Sequence, residues 1–189
     1  MSAGPHEALA PSPWIVRFAP LVSAGARVLD LAAGHGRHAL HLARLGARVV
    51  AVDRDAAALV SFAGTGGVET RVADVERDPW PFAGERFDAI VVVRYLHRPL
   101  LAQLLAALAD DGVLLYETFA RGNEAYGKPS NPAFLLEPDE LLALARERLT
   151  VVAFEQGRIG GNRPAVIQRL AAVGRRRAWP PLLSADGLE

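Results

Sequence analysis

The sequence predicts one α/β domain whose mostly parallel sheet is covered by helices on both faces. Three observations carry this. Short apolar runs alternate with amphipathic segments from residue 26 onward, the rhythm of βαβ units. The run Phe87–Val93 is apolar almost without interruption, as a central parallel strand buried on both faces requires. At 189 residues the chain is long enough for one sizeable core and short for two domains.

Taken in order, residues 1–24 read as a flexible Ala/Pro/Ser-rich arm and a short helix in which Trp14 and Phe18 share a face before Pro20 stops it. Residues 25–173 form the domain proper, and residues 174–189 a loosely attached tail. Arg27–Leu31 is a buried strand, residues 35–45 a helix closed by Gly46, and residues 47–52 the next strand. A helix over residues 56–62 and a strand over 68–73 follow, then the strand Phe87–Val93. Trp80 reads as loop packing. Pro99 occupies a first helical position, and Leu100, Leu101, Leu104, Leu105 and Leu108 form one stripe up to the stop Asp110-Asp111-Gly112. Residues 113–118 make strand five, and 119–136 a long Gly/Pro/Asn loop of the kind that is functional or disordered. Pro138-Asp139-Glu140 opens a further helix, and β-rich runs at 151–156 and 164–173 flank Gly160-Gly161-Asn162 as an antiparallel hairpin.

Composition narrows the function classes. Basic and acidic residues balance at 21 each, so no whole-molecule field draws the protein to a polyanion, and Arg175-Arg176-Arg177 reads as a solvated face ahead of an RNA contact. The absence of cysteine removes thiolate chemistry. No signal sequence and no apolar run of about 18 residues is present, which makes a cytoplasmic protein without a membrane partner the expectation. His35, His38 and His41 swing around their helix and have no carboxylate to join them, so they read as surface or site-edge groups and no metal is expected. Nothing in the sequence speaks to oligomeric state.

The segment that carries chemistry is Asp30-Leu31-Ala32-Ala33-Gly34-His35-Gly36. Gly34 to Ala39 fits the dinucleotide pattern G-x-G-x-x-G/A, with Asp53 suitably spaced to hold a ribose, so an NAD-dependent oxidoreductase is one reading. The strand end separates it from another. Three residues intervene between Asp30 and Gly34, and a carboxylate there is awkward beside a pyrophosphate. It suits a ligand bearing an ammonium and a sulfonium, while the glycines allow close backbone approach. This charge argument favours S-adenosylmethionine.

Val28 to Arg37 resembles motif I of the class I S-adenosylmethionine-dependent methyltransferases. The resemblance continues through Val49-Val-Ala-Val-Asp53, Asp74 and Phe87-Asp-Ala-Ile-Val91, and covers roughly residues 25–170. Within the class, Gly-His-Gly-Arg-His-Ala-Leu-His-Leu-Ala looks most like the tellurite-resistance and thiopurine-type small-molecule enzymes. The resemblance implies a Rossmann-like, doubly wound seven-stranded sheet of order 3-2-1-4-5-7-6, in which the terminal hairpin inserts an antiparallel strand. It also implies that Asp30, Ala32, Gly34 and Gly36 hold the methionine end, that Asp53 with Arg54 holds the ribose, and that Asp74 with Val75 reads the adenine. Asp53 could instead cap the following helix and Asp74 serve a turn, since Asp is common in both places. Three acids at the ends of successive strands favour the joint ligand reading.

Methyl transfer to a nucleophile needs positioning more than a base, so catalytic groups are hard to name. Tyr95 and His97, in the loop after strand four, are the catalytic candidates; packing and helix capping compete as their roles. Arg94, Arg98, Asn123 and Tyr126 are candidates for holding the acceptor, and the 119–136 loop is a candidate lid. Without cysteine, and without an Asn/Asp-Pro-Pro-aromatic run, a small or medium acceptor is expected ahead of RNA. A non-catalytic S-adenosylmethionine-binding regulatory protein is the other alternative.

Overall fold

In the computed structural model, residues 10–183 are described, so the sequence expectations for residues 1–9 and 184–189 lie outside them. Seven strands form one sheet of order β3-β2-β1-β4-β5-β7-β6. They are β1 (Arg27–Leu31), β2 (Arg48–Asp53), β3 (Val68–Val72), β4 (Phe87–Val93), β5 (Leu108–Phe119), β6 (Leu149–Ile159) and β7 (Ala165–Gly174). β1 to β5 pair in parallel, and β7 lies antiparallel to both β5 and β6. The expected order and the inserted antiparallel strand are both present.

Among the described residues five α-helices accompany the sheet: α1 (Pro13–Phe18), α2 (Arg37–Arg44), α3 (Ala56–Val60), α4 (Leu101–Ala107) and α5 (Glu140–Arg146). Alternation along each strand sends side chains to two cores. Val28, Val49 and Val91 face α1, α2 and α3, together with Trp14, Phe18, Leu42 and Leu59. Leu29, Leu31, Ile90 and Val92 face the other way, with Leu104 and Leu141. The Trp14 and Phe18 rings meet at a tilt of 59° with centroids 4.5 Å apart, and both are buried. Burying each ring stabilises the fold by about 1.5–3 kcal/mol, which is why so short a helix holds. Trp80 meets Phe82 edge-on at 5.1 Å, in the packing role expected of it.

Several boundaries differ from expectation. α2 begins at Arg37, not residue 35, because Gly36 caps it in a left-handed conformation. The Asp110-Asp111-Gly112 stop lies inside β5, since Leu108 already pairs with Phe87 and the intervening residues bulge before Val113 pairs with Ala89. The tail is tied down at its start: Arg175 donates to the Arg146 carbonyl at 2.8 Å and Arg177 to the Leu21 carbonyl at 2.5 Å. The arm is likewise fixed at residues 10–12 by Arg37, His38 and Glu117. Among the described residues no helix is long and apolar enough to cross a membrane.

Candidate functional site

The turn between β1 and α2 is built from left-handed backbone. Ala32, Gly34 and Gly36 have φ of 57°, 54° and 72°. For Ala32 this costs roughly 1–2 kcal/mol, a strain of the sort that clusters at ligand sites. The Ala33 amide donates to the Val52 carbonyl at 3.0 Å, which stitches the turn to β2. At Gly36 a Cβ would meet the Phe62 ring at 2.6 Å, whereas at Gly34 it would meet nothing within 4 Å. Gly36 is therefore needed for packing as well as conformation.

Asp30 lies on the α2 face of β1, the same face as Val28, and is 1% exposed. Its Oδ2 accepts from the Ala39 amide at 2.9 Å. Burial pushes its carboxyl up to about 7, and nearby Asp53 adds to this; the Ala39 amide and Arg37 act the other way. Asp30, expected to meet a cationic ligand, is not among the residues lining the adjoining cleft. β1 continues one residue past Asp30, and the carboxyl is spent on the first turn of α2.

A cleft of about 500 Å³ runs along the carboxyl ends of β1, β2, β3, β4 and β5, where an open α/β sheet binds its ligands. Ala32, Asp53, Arg54, Asp74 and Val75 all line it, whereas Asp30, Gly34 and Gly36 are not among its lining residues. Asp53 accepts from the Gly34 amide at 2.8 Å and the Asp55 amide at 2.9 Å, which fixes its carboxylate. It is not the cap of α3, because Asp55 takes that role by accepting from Ala57 and Ala58. Asp74 accepts from the Glu76 amide at 3.1 Å, so it serves its turn and lines the cleft at once.

Tyr95 lines the same cleft. Its hydroxyl is buried without a hydrogen-bond partner of normal geometry, and burial, reinforced by the negative charge of Glu76, raises its pKa. It is a phenol throughout the physiological range. His97 lies outside the cleft lining, with Nδ1 3.9 Å from Glu76 Oε2. Its side chain makes no capping bond to the following turn. Glu76 itself, a cleft residue between the two, escaped the sequence reading because no motif spacing marks it.

Arg98, a candidate for holding the acceptor, is engaged elsewhere. It lines neither cavity described here, and its guanidinium donates to both Glu140 oxygens at 2.7 and 2.8 Å and to the Ala133 and Leu135 carbonyls. Asn123 and Tyr126 line a second cavity of about 380 Å³ that shares Arg94, Thr118 and Phe119 with the first. Asn123 is also a tie within the loop, donating to the Pro129 carbonyl at 2.9 Å and accepting from the Val166 amide at 3.2 Å. Arg94 follows β4 with φ of 58°, at the junction of the two cavities.

His38 is 3% exposed, not a surface group. Its Nε2 accepts from the Ser12 amide at 3.2 Å, and burial, aided by the Arg37 charge, holds its pKa down at about 3. Ser12 Oγ in turn donates to Glu117, which also accepts from Arg169 at 2.8 Å. Among the described residues no three His, Asp or Glu side chains converge as metal ligands.

Residues 28–112 match the methyltransferase-domain family. Among solved structures, TehB from Haemophilus influenzae superposes with a TM-score of 0.69 at 18% identity over 85% of this chain. This chain spans 61% of that protein's length. Coclaurine N-methyltransferase, bound to N-methylheliamine and S-adenosylhomocysteine, gives 0.60 at 20% identity, covering 77% of this chain and 49% of its own. The [4+2]-cyclase SpnF gives 0.64 at 14% identity, covering 85% and 77%. At such identities the likeness is one of fold. No curated protein matches the sequence.

Proposed function

We propose that this chain transfers a methyl group from S-adenosylmethionine to a small or medium acceptor, a reading supported by the match of residues 28–112 to the methyltransferase-domain family and by a fold shared with TehB. The observation that carries this is the convergence of Ala32, Asp53, Asp74 and Val75 on one cleft at the carboxyl edge. The Asp53 carboxylate, held by two backbone amides, is pre-aimed to accept the ribose hydroxyls. Asp74 and Val75 sit one strand further out, where the adenine edge would lie. The Gly34–Gly36 backbone is left for the methionine end, over the field of Asp30.

The donor supplies a methyl carbon on a sulfonium, a group ready to leave as a neutral thioether. An acceptor lone pair attacks that carbon in line, the C–S electron pair stays on sulfur, and any acceptor proton is lost to water or a nearby base. Little chemistry is left for side chains beyond orientation and exclusion of water. Tyr95 lines the cleft as a neutral phenol that can pack beside the acceptor, and the His97–Glu76 pair is a candidate for taking a proton.

Calorimetric titration tests the donor reading. S-adenosylhomocysteine should bind at least tenfold more tightly than NADH, and Asp53→Asn or Asp74→Asn should each weaken it about 10- to 100-fold, the value of a charge-assisted hydrogen bond. Preference for NADH would make the oxidoreductase alternative correct. Binding without methyl transfer across a broad acceptor panel would favour the regulatory protein.

A further inference from the structure

We propose that the acceptor is a small organic anion whose carboxylate or phosphate is held in the second cavity by Arg94, Lys128 and Arg163; this rests on the methyl-transfer reading of the adjoining cleft. The two spaces meet at Arg94, Thr118 and Phe119, so a molecule in one lies beside a donor in the other.

Charge decides what the second cavity accepts. Arg94, Lys128 and Arg163 reach its wall from the end of β4, from the loop after β5 and from the β6–β7 turn. None has a carboxylate partner among the described residues, although Arg27, Arg71, Arg98, Arg121 and Arg169 elsewhere are all paired. The cavity's one acid, Glu117, is 8% exposed and already neutralised by Arg169. Like charges gathered around a concave space repel one another, and an anion entering it relieves that repulsion. Arg94 is moreover held in left-handed backbone, a strain that places its side chain at the junction. Phe119, Tyr126 and Ile167 supply an apolar wall, which suits a ligand with an aromatic or aliphatic body behind its charged group.

Lys128 and Arg163 line only the second cavity, so they separate acceptor from donor binding. With the protein saturated in S-adenosylhomocysteine, 4-hydroxybenzoate and phenyl phosphate would be titrated against 4-hydroxybenzamide. At least one anion is expected to bind tenfold or more tightly than the amide, and the better one names the group. In the Lys128→Gln/Arg163→Gln double variant the preference should fall to within about twofold, with affinity for S-adenosylhomocysteine as in the parent. Parity of acids and amide, no binding by either acid, or a preference that survives in the double variant overturns the inference and leaves methyl transfer standing. Failure of S-adenosylhomocysteine itself to bind overturns both.

Discussion

Asp30 on β1 and His38 on α2 are both buried and are shifted in opposite directions. Asp30 is pushed up to about 7 from an ordinary value of 3.8, and His38 down to about 3 from 6.5. Between pH 4 and 7 the folded protein holds a proton on Asp30 that the unfolded chain has lost, so this residue's contribution falls as pH rises. His38 works the other way, because the unfolded chain takes up a proton below pH 6.5 that the folded one refuses. In the overlap the two slopes, each at most about 1.4 kcal/mol per pH unit, oppose each other. Asp30→Asn removes one of them and can keep the acceptor for the Ala39 amide. The difference in unfolding free energy, variant minus parent, should therefore climb steadily from pH 4 to pH 7 in urea titrations. A flat or falling difference would show that the Asp30 carboxyl is ionised in the fold. None of this is legible in the string of letters: the sequence shows an acid at a strand end, and only the alternation that turns it beneath α2 makes it a buried one.

At the scale of elements, the loop from residue 119 to 136 departs most from its outline in the sequence. Its glycines, prolines and asparagines correctly announce an irregular connection, yet both ends are fastened. Leu135 and Leu136 are fully buried, the Leu136 amide donates to the Phe119 carbonyl, and Arg98 grips the loop through the Ala133 and Leu135 carbonyls. A lone arginine after strand four gives no sign that its partner lies 42 residues on. Between the anchors, Pro129 and Phe134 line the donor cleft, and Phe134 remains 46% exposed. An aromatic ring left half in water at the rim of a cleft gains when a ligand covers it. Phe134→Ala should raise the Kd for S-adenosylhomocysteine about tenfold, or about 1.4 kcal/mol, just under the 1.5–3 kcal/mol for burying a whole ring because this one is already half covered. The melting temperature without ligand should stay nearly constant, since the ring packs in no core. Unchanged affinity in the variant would rule out this loop as a cover for the donor. The bulge at Leu108 to Gly112 was equally hidden, because an Asp-Asp-Gly run signals a turn, and only pairing of Leu108 with Phe87 makes it part of a strand.

Across the whole molecule, the parallel core and the terminal hairpin were legible because burial on two faces imposes its own pattern on β4, and a Gly-Gly-Asn turn on β6 and β7. The convergence of Arg94, Lys128 and Arg163 was not, since three distant segments meet only once β7 is inserted between β5 and β6. The same assembly couples donor binding to pH. Asp30 lies behind the turn that would hold the methionine end, and a sulfonium and ammonium there would favour its ionised form. A ligand that prefers the ionised state binds more tightly as pH rises through the pKa of the free protein, near 7. Ligand at about 100 times its Kd adds about 2.7 kcal/mol, and a chain of this size gains roughly 2–4 °C in Tm per kcal/mol. The Tm increment from S-adenosylmethionine should accordingly grow between pH 6 and pH 8 in the parent, and grow less in Asp30→Asn. Comparing the two proteins cancels the titration of the ligand's own amine. S-adenosylhomocysteine, lacking the sulfonium charge, should show a smaller pH dependence in the parent than S-adenosylmethionine. Identical pH profiles for parent and Asp30→Asn would mean that the carboxyl acts only as a tie to α2 and that its charge never reaches the ligand.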